Sequence, residues 1–289
     1  MQENKLVVGV GTKKLTSAKC DLIIRFLKKK NKNIAIEKQF LEKDELLTET
    51  ENVLRRLGEQ KYNIAFIDMD ELYKCIGNGV EIPQNVSIAT LIKRRDQRFV
   101  LIKRKRKNDI LEGALICTIS EDDGTQFCHL YDDVTCVVEK SINRCFKKLI
   151  ADECDAILVP VDDVKIMKRD KIKGLSYNYL DCKTFIPAAG TASTAILTSD
   201  NDLVDFLRDN YGDEETEKCF DIENELTKRI GALEFVDYCR VNAEIERNVV
   251  RASVYAFNER KHFRYEEKEK INNINLLMHR LVEEVRRNL

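Results

Sequence analysis

The sequence has no tryptophan, only three prolines and only 11 glycines in 289 residues. So little proline and glycine disfavours disorder and low-complexity structure. Hydrophobic residues make up 43% of the chain, close to the roughly 45–50% of globular proteins. The length therefore predicts two or three folded domains, each with its own core.

Long apolar runs are also missing, because no segment approaches the roughly 18–20 residues of a membrane span. The beginning, MQENKLVVGVGTKK, has one short apolar stretch broken by glycines and does not resemble a signal peptide. Ten cysteines are scattered without a CxxC pair, which favours reduced, buried thiols over disulfides or a metal site. These features predict a cytoplasmic protein without a metal.

Neither sign of charge dominates, since 49 basic residues face 50 acidic ones. A net charge of −1 argues against a general polyanion binder but not against a local basic patch. Residues 93–107, KRRDQRFVLIKRKRK, are strongly basic around the apolar stretch Phe99–Ile102. They are either a nucleic-acid patch or the solvated flanks of a buried strand. The second interpretation is favoured, so no nucleic-acid partner is expected.

Short apolar runs alternate with amphipathic segments, a pattern typical of an α/β chain. Several runs are apolar at consecutive positions, as expected for strands buried on both faces of a sheet. The predicted strands are Leu6–Val10, Ile34–Ile36, Ile64–Ile67, Val86–Ile92, Phe99–Ile102, Ala114–Ile119, Thr135–Val138, Ala156–Val161 and Ala195–Thr198. The predicted helices are Ser17–Lys29, Glu51–Glu59, Ser141–Ile150 and Asp202–Asn210.

The last third of the chain changes character after Gly212. We predict a polar helix over Glu214–Arg229, a strand over Val249–Phe257 and a long amphipathic helix over Tyr265–Leu289. This pattern indicates a separate α+β domain. The predicted domains are residues 1–99 with 195–212, residues 100–194, and residues 213–289. The chain is expected to enter the second domain near residues 98–107 and to return near residues 188–198.

Six short segments resemble, in the same order, motifs of the porphobilinogen deaminase (hydroxymethylbilane synthase) family. The first is Val10–Lys14 (VGTKK), which is similar to the "GTR-K" turn of that family. The others are Asn63–Leu72 (NIAFIDMDEL), Ile82–Asp96, Asp155–Leu158 (DAIL), Ile186–Gly190 (IPAAG) and Val250–Val254 (VRASV). No single motif is specific, so the resemblance depends on their collinear order and spacing.

The resemblance implies two periplasmic-binding-protein-like, doubly wound α/β domains with a cleft between them and a third, small α+β domain. It also implies a transferase of tetrapyrrole (haem) biosynthesis, which joins four porphobilinogens head to tail and releases ammonia at each step. Such an enzyme grows the chain on a dipyrromethane cofactor that a cysteine holds through a thioether. An aspartate stabilises the cationic intermediates, and arginines and lysines bind the many carboxylates of the pyrroles.

The sequence departs from the family pattern at the positions that carry this chemistry. Glu71 stands at the catalytic aspartate and is the predicted catalytic residue. The extra methylene of glutamate displaces its carboxylate, and about 1 Å of misplacement can cost a hundredfold in rate. Asp70 and Asp68 replace a lysine and a serine, and Lys13 and Leu15 replace an arginine and a serine. Lys13 is the predicted cofactor-binding cation.

Acids also replace arginines in the second domain. The family's "SLRRxxQL" segment corresponds to residues 120–127, with Asp122 and Asp123 at the two arginines. Glu139 and Cys145 stand at two further arginines. Each lost bidentate partner removes about 1.5–3 kcal/mol, and like charges near an anionic ligand repel it. We therefore expect Asp68, Asp70, Glu71, Asp122 and Asp123 to face or flank a neutral or acidic cleft.

Two positions of this sequence could correspond to the family's cofactor-anchoring cysteine. An ungapped count from Val254 places Leu233 there, and an insertion of about six residues is needed to bring in Cys239. Cys239 is thus the predicted anchor if one exists, and its alternative is an ordinary thiol in a short strand. Because the arginines are also missing, we expect a free thiol and no dipyrromethane.

Three hypotheses remain open from the sequence. The first is an active deaminase that uses Glu71 and Cys239 on a small tetrapyrrole precursor. The second is a non-catalytic homologue that keeps the cleft for another ligand or partner. The third is a general periplasmic-binding-type protein that resembles the family by chance. A monomer is expected in each case.

Overall fold

The computed structural model describes residues 5–11, 13–32, 34–42, 44, 46–105 and 112–289. Thr12 of the predicted turn and residues 106–107 of the predicted crossing lie outside the described residues. The chain forms two compact units, Met1–Arg95 with Ala189–Ile222 and Asp96–Ala188 with Glu223–Leu289.

The first unit contains a five-stranded sheet with the order β2-β1-β3-β10-β4. Strands β1 to β3 are parallel, and β10 runs antiparallel to its neighbours β3 and β4. The strands are β1 (Lys5–Val10), β2 (Ala35–Phe40), β3 (Ile64–Asp68), β4 (Ser87–Ile92) and β10 (Thr194–Thr198).

Helices cover both faces of this sheet. One core contains the buried stripe of α1 (Lys14–Lys30), formed by Cys20, Ile23, Ile24 and Leu27, together with α7 (Asn201–Tyr211). These positions recur at helical spacing, which explains why one side of α1 is apolar. The opposite core contains residues of α2 (Glu49–Gly58) and α3 (Met69–Gly77). A capping box between Thr48 and Glu51 begins α2.

The second unit repeats this architecture in a sheet with the order β7-β6-β8-β5-β9. Strands β6 to β8 are parallel, and β5 is the antiparallel strand in the same relative place as β10. The strands are β5 (Phe99–Arg104), β6 (Leu115–Thr118), β7 (Thr135–Val138), β8 (Ala156–Pro160) and β9 (Leu175–Leu180). The helices are α4 (Glu121–Cys128), α5 (Ile142–Ile150) and α6 (Val161–Ile166).

A three-stranded antiparallel sheet completes the second unit. It consists of β11 (Tyr238–Glu246), β12 (Val249–Phe257) and β13 (His262–Lys270). Helix α8 (Glu214–Gly231) precedes it, and a short 3-10 helix (Ile271–Asn273) and α9 (Ile274–Asn288) follow it. The predicted fold class is therefore confirmed: two doubly wound α/β sheets and a third, small α+β domain.

One predicted element is wrong. The helix expected over Tyr265–Leu289 begins only at Ile274, because His262–Lys270 forms the edge strand β13. Phe263 and Tyr265 alternate with charged residues, which is the period-two pattern of a half-buried strand. The helical spacing of Met278, Leu281 and Val285 is real but belongs to α9 alone.

Helix α4 contacts this sheet through an aromatic and histidine cluster. His129, just after α4, has its Nδ1 atom 2.7 Å from the Tyr255 hydroxyl. Its ring stacks on His262 with 4.5 Å between centroids. Arg264 donates to the Gln126 carbonyl at 3.2 Å. Burial first, and then the nearby His262 and Arg264, lower the pKa of His129.

Among the described residues, no helix is both long enough and apolar enough to span a bilayer.

We predict that the free energy of unfolding decreases in mildly acidic solution because of His129. Its pKa is lowered in the folded state, so the unfolded chain, with a histidine pKa of about 6.5, binds more protons. The stabilising contribution is complete above about pH 6.5 and is lost as the pH falls through the lower folded-state pKa. Urea unfolding at pH 7.5 and 5.5 should give a smaller pH difference for His129→Gln than for the native chain. The matched variant His279→Gln, on the exposed face of α9, should keep the full difference, and equal effects of both would contradict the assignment.

We predict that Gly190→Ala destabilises the first unit. Gly190 has φ of +76°, and a Cβ there would lie 2.7 Å from the Met69 Cβ. The left-handed backbone and the contact with α3 together should cost about 1–3 kcal/mol in urea unfolding. Gly77→Ala is the control, because its Cβ would meet no atom within 4 Å. An equal response of the two variants would show that the turn relaxes freely.

Candidate functional site

The candidate site of the first unit lies where the carboxyl ends of β1 and β3 meet. From these neighbouring parallel strands the sheet continues in opposite directions, to β2 on one side and β10 on the other. Such a switch point is the usual ligand position in open α/β sheets. Gly11 and Lys13 follow β1, and the acidic first turn of α3, with Asp70 and Glu71, follows β3.

Asp68, at the end of β3, is surrounded by donors from its own unit. Its Oδ2 atom accepts a hydrogen bond from Lys19 Nζ at 2.5 Å. Its Oδ1 atom accepts one from Thr194 Oγ1 at 2.6 Å, and Arg95 Nη2 lies 3.4 Å away. Burial alone would raise the pKa of Asp68, but Lys19 and Arg95 outweigh it and lower the pKa. Asp68 is therefore an ionised carboxylate that the chain's own cations neutralise.

Glu71 differs from Asp68 because no cation forms a direct ion pair with it in the described part of the chain. Its Oε2 atom accepts a hydrogen bond from Thr50 Oγ1 at 3.3 Å. Although the residue as a whole is exposed, its carboxyl group lies in a crowded cluster. Partial burial and then the Asp68 carboxylate raise the pKa of Glu71, against the opposing influence of Lys19 and Lys13. A carboxyl group with a raised pKa can hold and deliver a proton closer to neutral pH.

Lys13 belongs to the same cluster but has its own counterion. Its amide donates to Glu49 Oε1 at 3.1 Å, and its Nζ lies 3.4 Å from Glu49 Oε2. The carboxylate of Glu49 also fills the space beside Gly11, where a Cβ would lie 1.7 Å from Oε1. A side chain at position 11 would therefore require the flexible Glu49 side chain to move. Lys13 lies close enough to Glu71 to oppose the rise in its pKa.

The corresponding edge of the second sheet carries Asp122 and Asp123 in the first turn of α4. Asp123 is buried, and Arg240 Nη1 of β11 lies 2.7 Å from its Oδ1. The two groups are close but poorly aligned for a hydrogen bond, so the contact is an ion pair. Asp122 accepts a hydrogen bond from the Tyr238 hydroxyl at 3.0 Å. Both acids, expected to face or flank a cleft, therefore contact strand β11 of their own unit.

Glu139, at another expected arginine position, is likewise paired inside the second unit. It accepts a hydrogen bond from Arg144 Nε at 2.9 Å and forms an ion pair with Lys148. These cations hold the pKa of Glu139 low; Lys148 has the larger effect. Cys145 is buried, and its thiol donates to the Thr118 carbonyl at 3.7 Å.

Cys239 is the second residue of β11 and is half-buried. Its Sγ donates to the Thr227 carbonyl of α8 at 3.7 Å. Burial raises the pKa of this thiol to about 12. Leu233, the alternative at the anchor position, lies in the connection between α8 and β11 and offers no nucleophilic atom. In the described ranges, no group of three histidine, cysteine or acidic side chains is placed to hold a metal ion.

Sequence reasoning identified the acids but missed their partners. These partners come from other elements of the chain, so no local sequence pattern predicts them. They are Lys19, Arg95, Arg240 and Lys148. The three short helices that carry the acids were missed too. A signal was available, because each begins within three residues of the end of a strand and has two or three acidic residues in its first turn, where the helix dipole favours negative charge.

Three solved structures show distant similarity to the chain. YhfZ from Shigella flexneri is 16% identical over 74% of this chain and 92% of its own, with a TM-score of 0.39. The periplasmic VFT2 domain of Bordetella pertussis BvgS is 13% identical over 70% of this chain and 85% of its own, with a TM-score of 0.44. The periplasmic aliphatic sulphonate binding protein SsuA from Escherichia coli is 10% identical over 71% of this chain and 69% of its own, with a TM-score of 0.45.

No curated protein sequence matches the chain. A family model does: the one described as porphobilinogen deaminase, dipyromethane cofactor binding domain, matches residues 13–204. The match spans about two thirds of the chain and includes Lys13, Asp68 and Glu71 of the first unit and the acidic edge of the second, Asp122 and Asp123. The chain therefore belongs to the porphobilinogen deaminase family.

Proposed function

We propose that this family member does not make hydroxymethylbilane and uses its α/β domains for non-catalytic binding of another ligand or partner. The observation that carries the proposal is the environment of Cys239, the cysteine that best matches a cofactor anchor. Its sulfur contacts the Thr227 carbonyl, and its pKa is raised to about 12. At pH 7 such a thiol is ionised in a fraction on the order of 10⁻⁵, whereas the thiolate is the reactive form.

A thioether at Cys239 would also compete with a contact that the sulfur already makes. The sulfur points from β11 to α8, and the strand pairs along its whole length with β12. Attachment of a dipyrromethane there would require the sulfur to leave this packing. The residues around Cys239 therefore do not fit the cofactor, and we expect the chain to lack it.

The carboxylate-binding positions support the same proposal. Where the family pattern has arginines, Asp123 and Glu139 are paired with Arg240, Arg144 and Lys148 of the same unit. These cations are engaged by the chain's own acids, so they are poorly available to the acetates and propionates of a pyrrole chain. A polypyrrole would lose about 1.5–3 kcal/mol for each missing charged hydrogen bond.

One observation favours the alternative, an active deaminase. Glu71 follows β3 at the position of the family's catalytic aspartate, and its pKa is raised. A raised pKa suits an acid that exchanges protons with a substrate. In that case Glu71 would handle the pyrrole nitrogens, and Lys13 would help to bind carboxylates.

Two further attributes of the proposal come from the sequence: a cytoplasmic location and a monomeric state. The scattered cysteines, all free thiols in the structure, suit a reducing compartment. Sedimentation of the purified chain tests the monomer.

We predict that the purified chain neither carries a dipyrromethane nor converts porphobilinogen. Intact mass should equal the mass of the polypeptide, acidic Ehrlich's reagent should give no dipyrromethane colour, and no linear tetrapyrrole should form. A competent deaminase assayed in parallel controls for the substrate. The proposal fails if colour or turnover appears and Cys239→Ser abolishes it while Cys75→Ser does not. Loss of that turnover in Glu71→Gln would then assign the carboxylate its role.

We predict that Asp123 stabilises the fold through its ion pair with Arg240. Asp123→Asn leaves a buried guanidinium without its charged partner, which should cost about 3–5 kcal/mol in urea unfolding. The neighbouring Asp122→Asn removes the charge from a group that accepts one hydrogen bond, and should cost about 1 kcal/mol. Similar small losses in both variants would mean that Asp123 is available to a ligand, which would weaken the proposal.

A further inference from the structure

A cluster of cations lies at one end of the edge strand β9 in the second unit. The end of β5 pairs with the beginning of β9, and the Lys105 amide donates to the Gly174 carbonyl at 3.0 Å. This pairing joins residues 103–105 to residues 174–176, and residues 168–173 directly precede that stretch. Residues 103–105 and 168–174 together contain seven basic residues and one acid, Asp170. We call the two segments the basic edge.

The basic edge has few counterions. Arg104 pairs with Asp152, and the guanidinium of Arg169 lies over the Phe146 ring, 4.8 Å from its centroid. Four exposed lysines, however, make no ion pair with any described residue: Lys105, Lys168, Lys171 and Lys173. Some surface cations elsewhere pair with acids one helical turn away, as Lys218 does with Glu214 and Arg286 with Glu283. The basic edge thus concentrates positive charge in a chain whose net charge is −1.

The backbone holds these lysines together despite their repulsion. The Tyr177 hydroxyl donates to the Arg169 carbonyl at 2.6 Å and accepts from the Ile172 amide at 3.1 Å. Lys168 adopts a left-handed conformation, with φ of +55°, which costs free energy for a residue with a side chain. A fixed cluster of like charges raises the local potential and favours an anionic partner.

We infer that the basic edge binds the phosphate backbone of a nucleic acid without reading its sequence. Lysines act as point charges toward phosphates, and phosphate contacts carry no sequence information. The apolar side chains of the segment, Met167 and Ile172, pack inward against the core, so none is positioned to enter a membrane. Protein–protein interfaces are depleted in lysine and contain an apolar centre. The described residues of the basic edge are rich in lysine and form no apolar centre.

This inference departs from the expectation of no nucleic-acid partner, which considered residues 93–107 alone. In the structure, residues 174–176 pair with residues 103–105 of that segment, and the basic stretch 168–173 directly precedes them. It is also independent of the proposed function, because its residues are not those of the candidate site.

The test uses the full chain and a fluorescein-labelled 20-base-pair DNA duplex of arbitrary sequence. Fluorescence anisotropy should show binding at low salt that weakens steeply as salt rises. Four lysine–phosphate contacts predict a slope of about −4 for log K against log salt. A quadruple variant, Lys105→Gln, Lys168→Gln, Lys171→Gln and Lys173→Gln, should bind at least tenfold more weakly and with a slope reduced toward zero. A second duplex of unrelated sequence should bind equally well.

The matched control removes the same charge from exposed lysines of the first unit. Lys28→Gln, Lys29→Gln, Lys61→Gln and Lys74→Gln should leave the affinity within about twofold of the native value. Equal losses in the two quadruple variants would overturn the inference, as would no binding at 20 mM salt. Lysine-dependent binding to phosphatidylserine vesicles or an acidic polypeptide without binding to the duplex would also overturn it. Hydrogen exchange of residues 167–177 gives a second readout on the native chain, and the duplex should slow it.

Discussion

The buried ion pair between Asp123 and Arg240 is the contact on which the second unit depends. It joins the first turn of α4, at the edge of the five-stranded sheet, to strand β11 of the three-stranded sheet. Both side chains are almost fully buried, and desolvation makes either charge costly without the other. The Tyr238 hydroxyl, which donates to Asp122 and accepts from Arg240 Nε, extends the contact along the same strand. Docking of the two sheets therefore fixes the acids at this edge as structural groups.

Several acids that stand at cationic or neutral positions of the family pattern have cationic partners within their own unit. The sequence alone predicts that Asp123 and Glu139 repel an anionic ligand, because they stand where the family pattern has arginines. In the structure each has internal cationic partners, and Asp68 has Lys19 and Arg95. In this chain the three acids therefore hold cations of their own unit and contribute to the fold. Glu71 differs from them, since its hydrogen-bond partner is the neutral Thr50.

The sequence predicted the large features well and the contacts poorly. Apolar runs such as Ala195–Thr198 and Val249–Phe257 coincide with strands because burial on one or both faces fixes their composition. Helices of six to eight residues, such as α6 and α4, are too short for helical spacing to emerge. Strand β13 was mistaken for helix because charged residues on its open face hid the alternation of Phe263 and Tyr265. The partners of Asp68 and Asp123 come from distant segments, which no local pattern can reveal.

The acidic edge and the basic edge of the second unit lie at opposite ends of the same sheet. Asp122 and Asp123 follow the carboxyl end of β6, whereas the basic edge follows the carboxyl end of β5, which runs antiparallel to β8 and hence to β6. A strand of five or six residues spans roughly 17–20 Å, while charges are screened over about 8 Å at physiological ionic strength. The charges at one edge therefore have little electrostatic effect at the other. The charges at the acidic edge thus place no electrostatic constraint on the basic edge, so a cationic surface can exist there without disturbing the ion pair that holds the sheets together.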